Sequence, residues 1–189
     1  MRGLLVKGRE GWYDKKMVKT LRPTTSKVRE ALFNILRDKI NGAKFLDLYA
    51  GTGAIGFEAL SHGALEVVFV EVSKVYTEKI KEKLRNMDFT GRAKIITKKV
   101  HSFLADAGLK GDTFDIIFLD PPYHTDEINR ALSAIGRLHL LRDDGVVIVE
   151  HFVKRQLPHE FGSLRFLKDY KYGDTVLRLY KTSDLCNQV

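Results

Sequence analysis

The segment Phe45-Leu46-Asp47-Leu48-Tyr49-Ala50-Gly51-Thr52-Gly53-Ala54-Ile55-Gly56 passes from an apolar run into a glycine turn and then a helical pattern. Gly51, Gly53 and Gly56 satisfy G-x-G-x-x-G, which allows a tight strand-to-helix turn and lets a ligand approach the backbone. Lys44–Tyr49 is then a strand and Ala54–His62 the helix after it. The alternation continues outward, with strands at Glu66–Val72, Ala93–Val100, Phe114–Leu119 and Val146–Glu150. Helices are expected at Val75–Met87, His101–Ala107 and Asp126–Leu138. The unbroken apolar run of Phe114–Leu119 suits burial on both faces. Arg165–Tyr170 and Thr175–Lys181, joined by Lys171-Tyr172-Gly173-Asp174, read as a hairpin at the sheet edge. The pattern predicts an α/β fold: Rossmann-like, doubly wound, a mostly parallel sheet of about seven strands with a C-terminal antiparallel hairpin.

Upstream the pattern differs. Residues 1–24 read as a small basic β-like extension, with short pieces at Leu4–Lys7 and Met17–Leu21, and residues 25–189 as the main domain. Thr24, Thr25 and Ser26 offer N-cap oxygens for a helix over Lys27–Lys39, with Val28, Leu32, Ile35 and Leu36 on one face.

The chain has 189 residues, 44% of them hydrophobic, enough for one domain with a substantial core. No apolar run approaches the roughly 18 residues of a membrane span. No secretory leader pattern is present, and Cys186, the single cysteine, excludes an internal disulfide, so a cytoplasmic location is expected. The six histidines are scattered, and no metal site is expected. Net charge is +8, and Met1–Ile40 alone carries eleven Lys/Arg against four Asp/Glu. That asymmetry points to a basic arm that meets a polyanion, RNA or DNA rather than a membrane.

Ligands of doubly wound sheets bind beyond the carboxyl ends of the strands, where two motifs fall. Glu71, twenty residues past Gly51, can accept hydrogen bonds from ribose hydroxyls. This much fits NAD(P) as well, or a structural turn without a ligand. Asp47 discriminates: a carboxylate beside the turn repels a pyrophosphate but attracts the ammonium and sulfonium of S-adenosylmethionine. Tyr49 is expected to pack over the turn.

The second motif is Asp120-Pro121-Pro122-Tyr123, at the end of the strand Phe114–Leu119. An exocyclic base amine is a poor nucleophile because its lone pair is delocalised into the ring. The Asp120 carboxylate and Pro121 carbonyl are candidate acceptors that help it pyramidalise. The prolines stiffen the turn without adding N–H donors. Tyr123 is a candidate stacking surface for a flipped or single-stranded base. The competing reading is an ordinary strand end closed by a proline turn.

Leu46–Gly53 together with Asp120–Tyr123 resembles the class I S-adenosylmethionine-dependent methyltransferases that act on amino groups. The block Leu21-Arg22-Pro23-Thr24-Thr25-Ser26-Lys27-Val28-Arg29-Glu30-Ala31-Leu32-Phe33-Asn34-Ile35-Leu36, with Glu58-Ala59-Leu60-Ser61-His62-Gly63-Ala64, is similar to the RsmD family of bacterial 16S rRNA guanine-N2 methyltransferases. The similarity runs from about Arg22 to Lys181. It implies that Asp47, Gly51, Gly53 and Glu71 bind S-adenosylmethionine, with Tyr49, Val72 and Val100 beside them. It implies that Asp120, Pro121 and Tyr123 hold the guanine amine, and that Arg22, Thr24 and Arg29 lie near the RNA or the mouth of the site. Two departures stand out. The N-terminal segment is shorter and less glycine-rich than the family's. Lys98-Lys99-Val100-His101 replaces an acidic or amide partner for the adenine amine, which leaves backbone groups and apolar contacts near Val100.

The expected partner is 16S rRNA or the small ribosomal subunit, met by a monomer. A DNA adenine-N6 methyltransferase is the nearest rival, although no extra target-recognition domain is evident. A non-catalytic RNA-binding assembly factor on the same fold is the alternative from another class.

Overall fold

The computed structural model describes residues 26–87, 89, 91–122 and 125–183, and the backbone of 5–8, 11–14 and 90. Met17–Leu21, Arg22, Thr24, Tyr123 and Cys186 lie outside the described residues.

Strands β1 (Leu5–Gly8) and β2 (Gly11–Asp14) form a two-stranded antiparallel ribbon. The first strand overlaps the expected piece Leu4–Lys7, and the second is an addition to the expected pieces. Helix α1 (Ser26–Leu36) follows. The alternating region contains β3 (Lys44–Leu48), α2 (Ala54–Ser61), β4 (Glu66–Glu71), α3 (Lys74–Asn86), β5 (Ala93–Thr97), α4 (Val100–Lys110), β6 (Phe114–Leu119), α5 (Glu127–Arg137) and β7 (Leu141–Phe152). The chain then forms β8 (Glu160–Phe161), β9 (Leu164–Tyr172) and β10 (Thr175–Thr182).

The main sheet has eight strands in the order β5-β4-β3-β6-β7-β10-β9-β8. The expected core of the sheet and its C-terminal hairpin are present, with β8 as a two-residue addition at the edge. Strands β3 to β7 run parallel, and β10 pairs antiparallel with both β7 and β9. From β3 the chain steps outward through β4 and β5, then returns to the other side of β3 for β6 and β7. The switch point of the sheet therefore lies between β3 and β6.

Strand alternation sorts the core into two layers. Leu46, Leu48, Ile117 and Leu119 face α4 and α5, packed with Leu104, Leu132 and Ile135. Phe45, Phe69, Ile116 and Phe118 face the other way, against Leu32 of α1, Phe57 of α2 and Ile80 of α3. Each central strand is buried on both sides, which is why it reads as an unbroken apolar run. Asp115 interrupts the run in β6 for a local reason. Its carboxylate accepts the Lys44 backbone N–H at 2.7 Å and pairs with Arg142 at 2.8 Å.

Candidate active site

The glycine turn is built by packing as much as by backbone freedom. Gly53 caps α2 with φ 76°, and a Cβ there would lie 2.9 Å from the Phe57 ring. Gly56 has no unusual φ, but a Cβ would fall 2.1 Å from Phe69 Cε1. Helix α2 therefore rests directly on β4, and its first turn reaches the end of β3. There the Gly56 N–H donates to Asp47 Oδ2 at 3.0 Å.

Asp47 is only 2% exposed. Burial pushes its pKa up from 3.8 to about 7; the Gly56 N–H opposes this and the nearby Glu71 charge adds to it. Because the folded-state value is raised, the unliganded fold binds this proton more tightly than the unfolded chain does. Asp47 then contributes stability at pH 4 that is lost as pH climbs through about 7. Asp47→Asn keeps an acceptor for Gly56 and removes the titration. The variant is expected to gain stability over wild type progressively from pH 5 to pH 8, measured by urea unfolding of the unliganded protein. A constant difference across that range would contradict the raised carboxyl.

Glu71, at the end of β4, ties two turns together. Its Oε2 accepts the Gly51 N–H at 2.8 Å and its Oε1 the Ser73 N–H at 2.8 Å. Each oxygen keeps a lone pair for a further donor. Val72 beside it is 61% exposed, an apolar surface without cover among the described residues. Val100 differs from expectation. The strand ends at Thr97, and Val100 is the first residue of α4, 5% exposed within the core near Leu104. Its side chain is core, so only its backbone is left to meet a ligand. His101 is exposed.

Tyr49 has φ 62°, and its hydroxyl donates to Glu127 Oε2 at 2.8 Å at the start of α5. Burial, and then Glu127, push its pKa above the ordinary phenol value. The ring packs against the α4–α5 layer. This contact fastens the glycine turn to the helix that follows the Asp120 turn.

On the other side of the switch point, Leu48 pairs in register with Leu119, so Tyr49 and Asp120 leave neighbouring strands at the same level. Asp120 is half-buried, Pro121 buried and Pro122 exposed. The Pro122 carbonyl accepts the Thr125 hydroxyl at 2.9 Å, which closes the loop toward α5.

Arg29 Nε pairs with Glu58 Oε2 at 2.6 Å and joins α1 to α2. Two further polar residues sit at this edge, Glu150 and His151 at the end of β7, each 3% exposed. Leu119 pairs with Val149, so Glu150 is the neighbour of Asp120 one step along. Neither belongs to a motif. The only signal for them is a charge at the end of the apolar run Val146–Val149.

The family described as conserved hypothetical protein 95 matches residues 7–181. The chain is 32% identical over 161 residues to ribosomal RNA small subunit methyltransferase D of Escherichia coli strain K12, covering 85% of this chain and 79% of that protein. The chain belongs to the small-subunit rRNA methyltransferase D family. The Haemophilus influenzae member is 35% identical over 164 residues, covering 85% of this chain and 83% of its own length. A solved structure of a hypothetical protein from Thermus thermophilus superposes with a TM-score of 0.74 at 29% identity, covering 86% of this chain and 90% of that one.

Proposed function

We propose that this chain transfers a methyl group from S-adenosylmethionine to the exocyclic N2 amine of a guanine in 16S rRNA of the small ribosomal subunit. The observation that carries this reading is the meeting of the glycine turn and the Asp120–Pro121 strand end across the switch point between β3 and β6. The relatives named above are rRNA methyltransferases, which supports the same substrate class.

The turn suits a cation. One amide of the first helical turn, that of Gly56, is already bonded to Asp47 and is not available to a pyrophosphate. A positive group above the turn would favour the ionised form of that carboxyl. Gly51, Gly53, Glu71 and Val72 are the residues assigned to hold the cofactor, with Asp47 beneath them and Tyr49 bracing the turn. When bound, S-adenosylmethionine supplies an electrophilic methyl group.

The chain's own residues do the rest. Asp120 and the Pro121 carbonyl accept the amine's N–H groups and free its lone pair, and the Asp120 carboxylate is assigned to take the proton that leaves. Positioning of nitrogen against the methyl carbon supplies most of the rate. Tyr123 is assigned base stacking from its place in the motif, a contact worth about 1–3 kcal/mol. Residues 1–24, with Arg22 and Thr24, form the RNA-facing extension in this proposal, and residues 25–189 the catalytic domain. Arg29 contributes through α1, since its charge is shared with Glu58. A monomer acting in the cytoplasm completes the reading. Among the described residues no helix is long and apolar enough to cross a membrane.

Labelled S-adenosylmethionine, incubated separately with DNA, naked rRNA and small subunits and followed by nucleoside analysis, tests this. N2-methylguanosine in small-subunit rRNA is the expected product. Methylated adenine in DNA with none in rRNA would overturn the proposal, as would RNA binding without transfer to any pool.

A further inference from the structure

Beside the candidate active site, at the same carboxyl edge, lies a second cavity of about 290 Å³ between the ends of β7 and β9 and the start of β10. Arg155, Lys171 and Arg178 give its lining three cations against the single carboxylate of Asp169, with His151 and His159 completing the polar wall. Arg178 is held by Asp169 through two bonds of 2.7 Å, so its charge is already matched. Arg155 donates to the Thr125 carbonyl at 2.8 Å and lies 4.0 Å from Asp126, which fastens this wall to the loop that follows the Asp120 turn.

His151 is the unexplained group. It is 3% exposed, and its Nδ1 lies 3.0 Å from the Phe152 carbonyl. A carbonyl only accepts, so Nδ1 carries the proton. That leaves Nε2 buried with no hydrogen-bond partner among the described residues. Burial chiefly, with the Arg178 and Arg155 charges, holds its pKa below the ordinary imidazole value, opposed by the Phe152 carbonyl and Asp169. A buried nitrogen without a partner is costly unless a ligand completes it. Next to excess positive charge, the completing ligand is an anion. Its charge favours the imidazolium, and the proton gained at Nε2 is then donated to one of its oxygens.

We propose that this cavity binds a backbone phosphate of the substrate RNA, one adjacent to the methylated nucleotide, through Lys171, Arg155 and His151. This rests on the RNA reading above. The cavity is too polar for a base, and its cations and imidazole suit a phosphate. It flanks the Asp120 turn, where the strand must pass when one base is drawn in.

The test has two arms, both on the full chain. In the first, dimethyl phosphate, a phosphodiester mimic, and inorganic phosphate are titrated in turn while the His151 imidazole signals are followed by NMR, assigned through His151→Gln. A saturable shift with dimethyl phosphate is expected, weakened in Lys171→Ala. Lys171 is exposed, and its replacement is expected to leave the fold intact. In the second arm, His151→Gln and Lys171→Ala are each expected to raise KM for rRNA about tenfold, with kcat and cofactor affinity unchanged. Lys171→Ala should also flatten the salt dependence of RNA binding by about one unit of slope. No dimethyl phosphate shift together with unchanged KM overturns the site. A response to inorganic phosphate alone overturns its assignment to RNA. A dimethyl phosphate shift in a protein that methylates no RNA would support the anion site and sink the rRNA reading instead.

Discussion

Replacing Asp120 with alanine is expected to lower the turnover of methyl transfer by about 10²–10³-fold, the range seen when one preorganised polar group at a reacting centre is lost. Cofactor affinity by calorimetry should stay within about twofold of wild type. The asymmetry follows from the architecture. The residues assigned to the cofactor leave β3 and β4, whereas Asp120 leaves β6 on the far side of the switch point. In the proposed reaction the Asp120 carboxylate acts on the amine, whose nitrogen becomes nucleophilic only as its N–H groups are drawn toward acceptors. Asp120→Asn keeps one acceptor oxygen but not the base, and should fall between alanine and wild type. Wild-type turnover in Asp120→Ala would remove the residue from this role. A parallel loss of cofactor binding would mean that the turn is one folded unit and that the division between the strands is wrong.

What could be read ahead of the structure follows burial. Phe114–Leu119 has the bounds expected from sequence, and Lys44–Leu48 and Glu66–Glu71 end one residue earlier than expected. These are central parallel strands with apolar side chains on both faces. β7 starts five residues before the expected Val146, because Leu141 pairs with Phe114 while Arg142, Asp143 and Asp144 stay exposed. A strand whose first residues are charged and solvated carries no strand pattern there. The two-residue β8 carries none either. Near the turn, Asp47 lies one residue before the end of β3 and Glu71 is the last residue of β4, and each accepts a glycine N–H of the turn. The Tyr49–Glu127 bond spans 78 residues, and the Arg29–Glu58 pair joins two helices; neither leaves a mark in local spacing. His151 is a lone histidine in sequence and gains meaning only when β9 and β10 bring Asp169 and Arg178 against it.

Adding a single methyl at Gly56 is expected to be among the most damaging small changes in the chain. The new Cβ of Gly56→Ala would sit 2.1 Å from Phe69 Cε1 and 2.6 Å from Cζ, far inside contact distance. Phe69 cannot yield easily, since it is fully buried in β4 and packed on Phe57 at 5.4 Å between ring centroids. Overpacking of this kind costs about 1–3 kcal/mol and occasionally more. A second loss adds to it, because lifting α2 off the sheet draws the Gly56 N–H away from the buried Asp47 carboxyl. A total near 3 kcal/mol would lower Tm by roughly 6–12 °C for a chain of this size. Phe69→Leu alone should also destabilise, by opening a void. Combined with Gly56→Ala it should recover part of the lost stability, a coupling that thermal unfolding of the four proteins in the cycle measures directly. Additive losses would mean that the helix moves as a body instead of pressing on that ring. In either case the Asp47 pKa of the single variant should climb further, since the Gly56 N–H is what opposes the effect of burial. The third glycine of the motif thus acts by setting the height of α2 above the sheet, and through that height it fixes where the Gly56 N–H meets the Asp47 carboxyl.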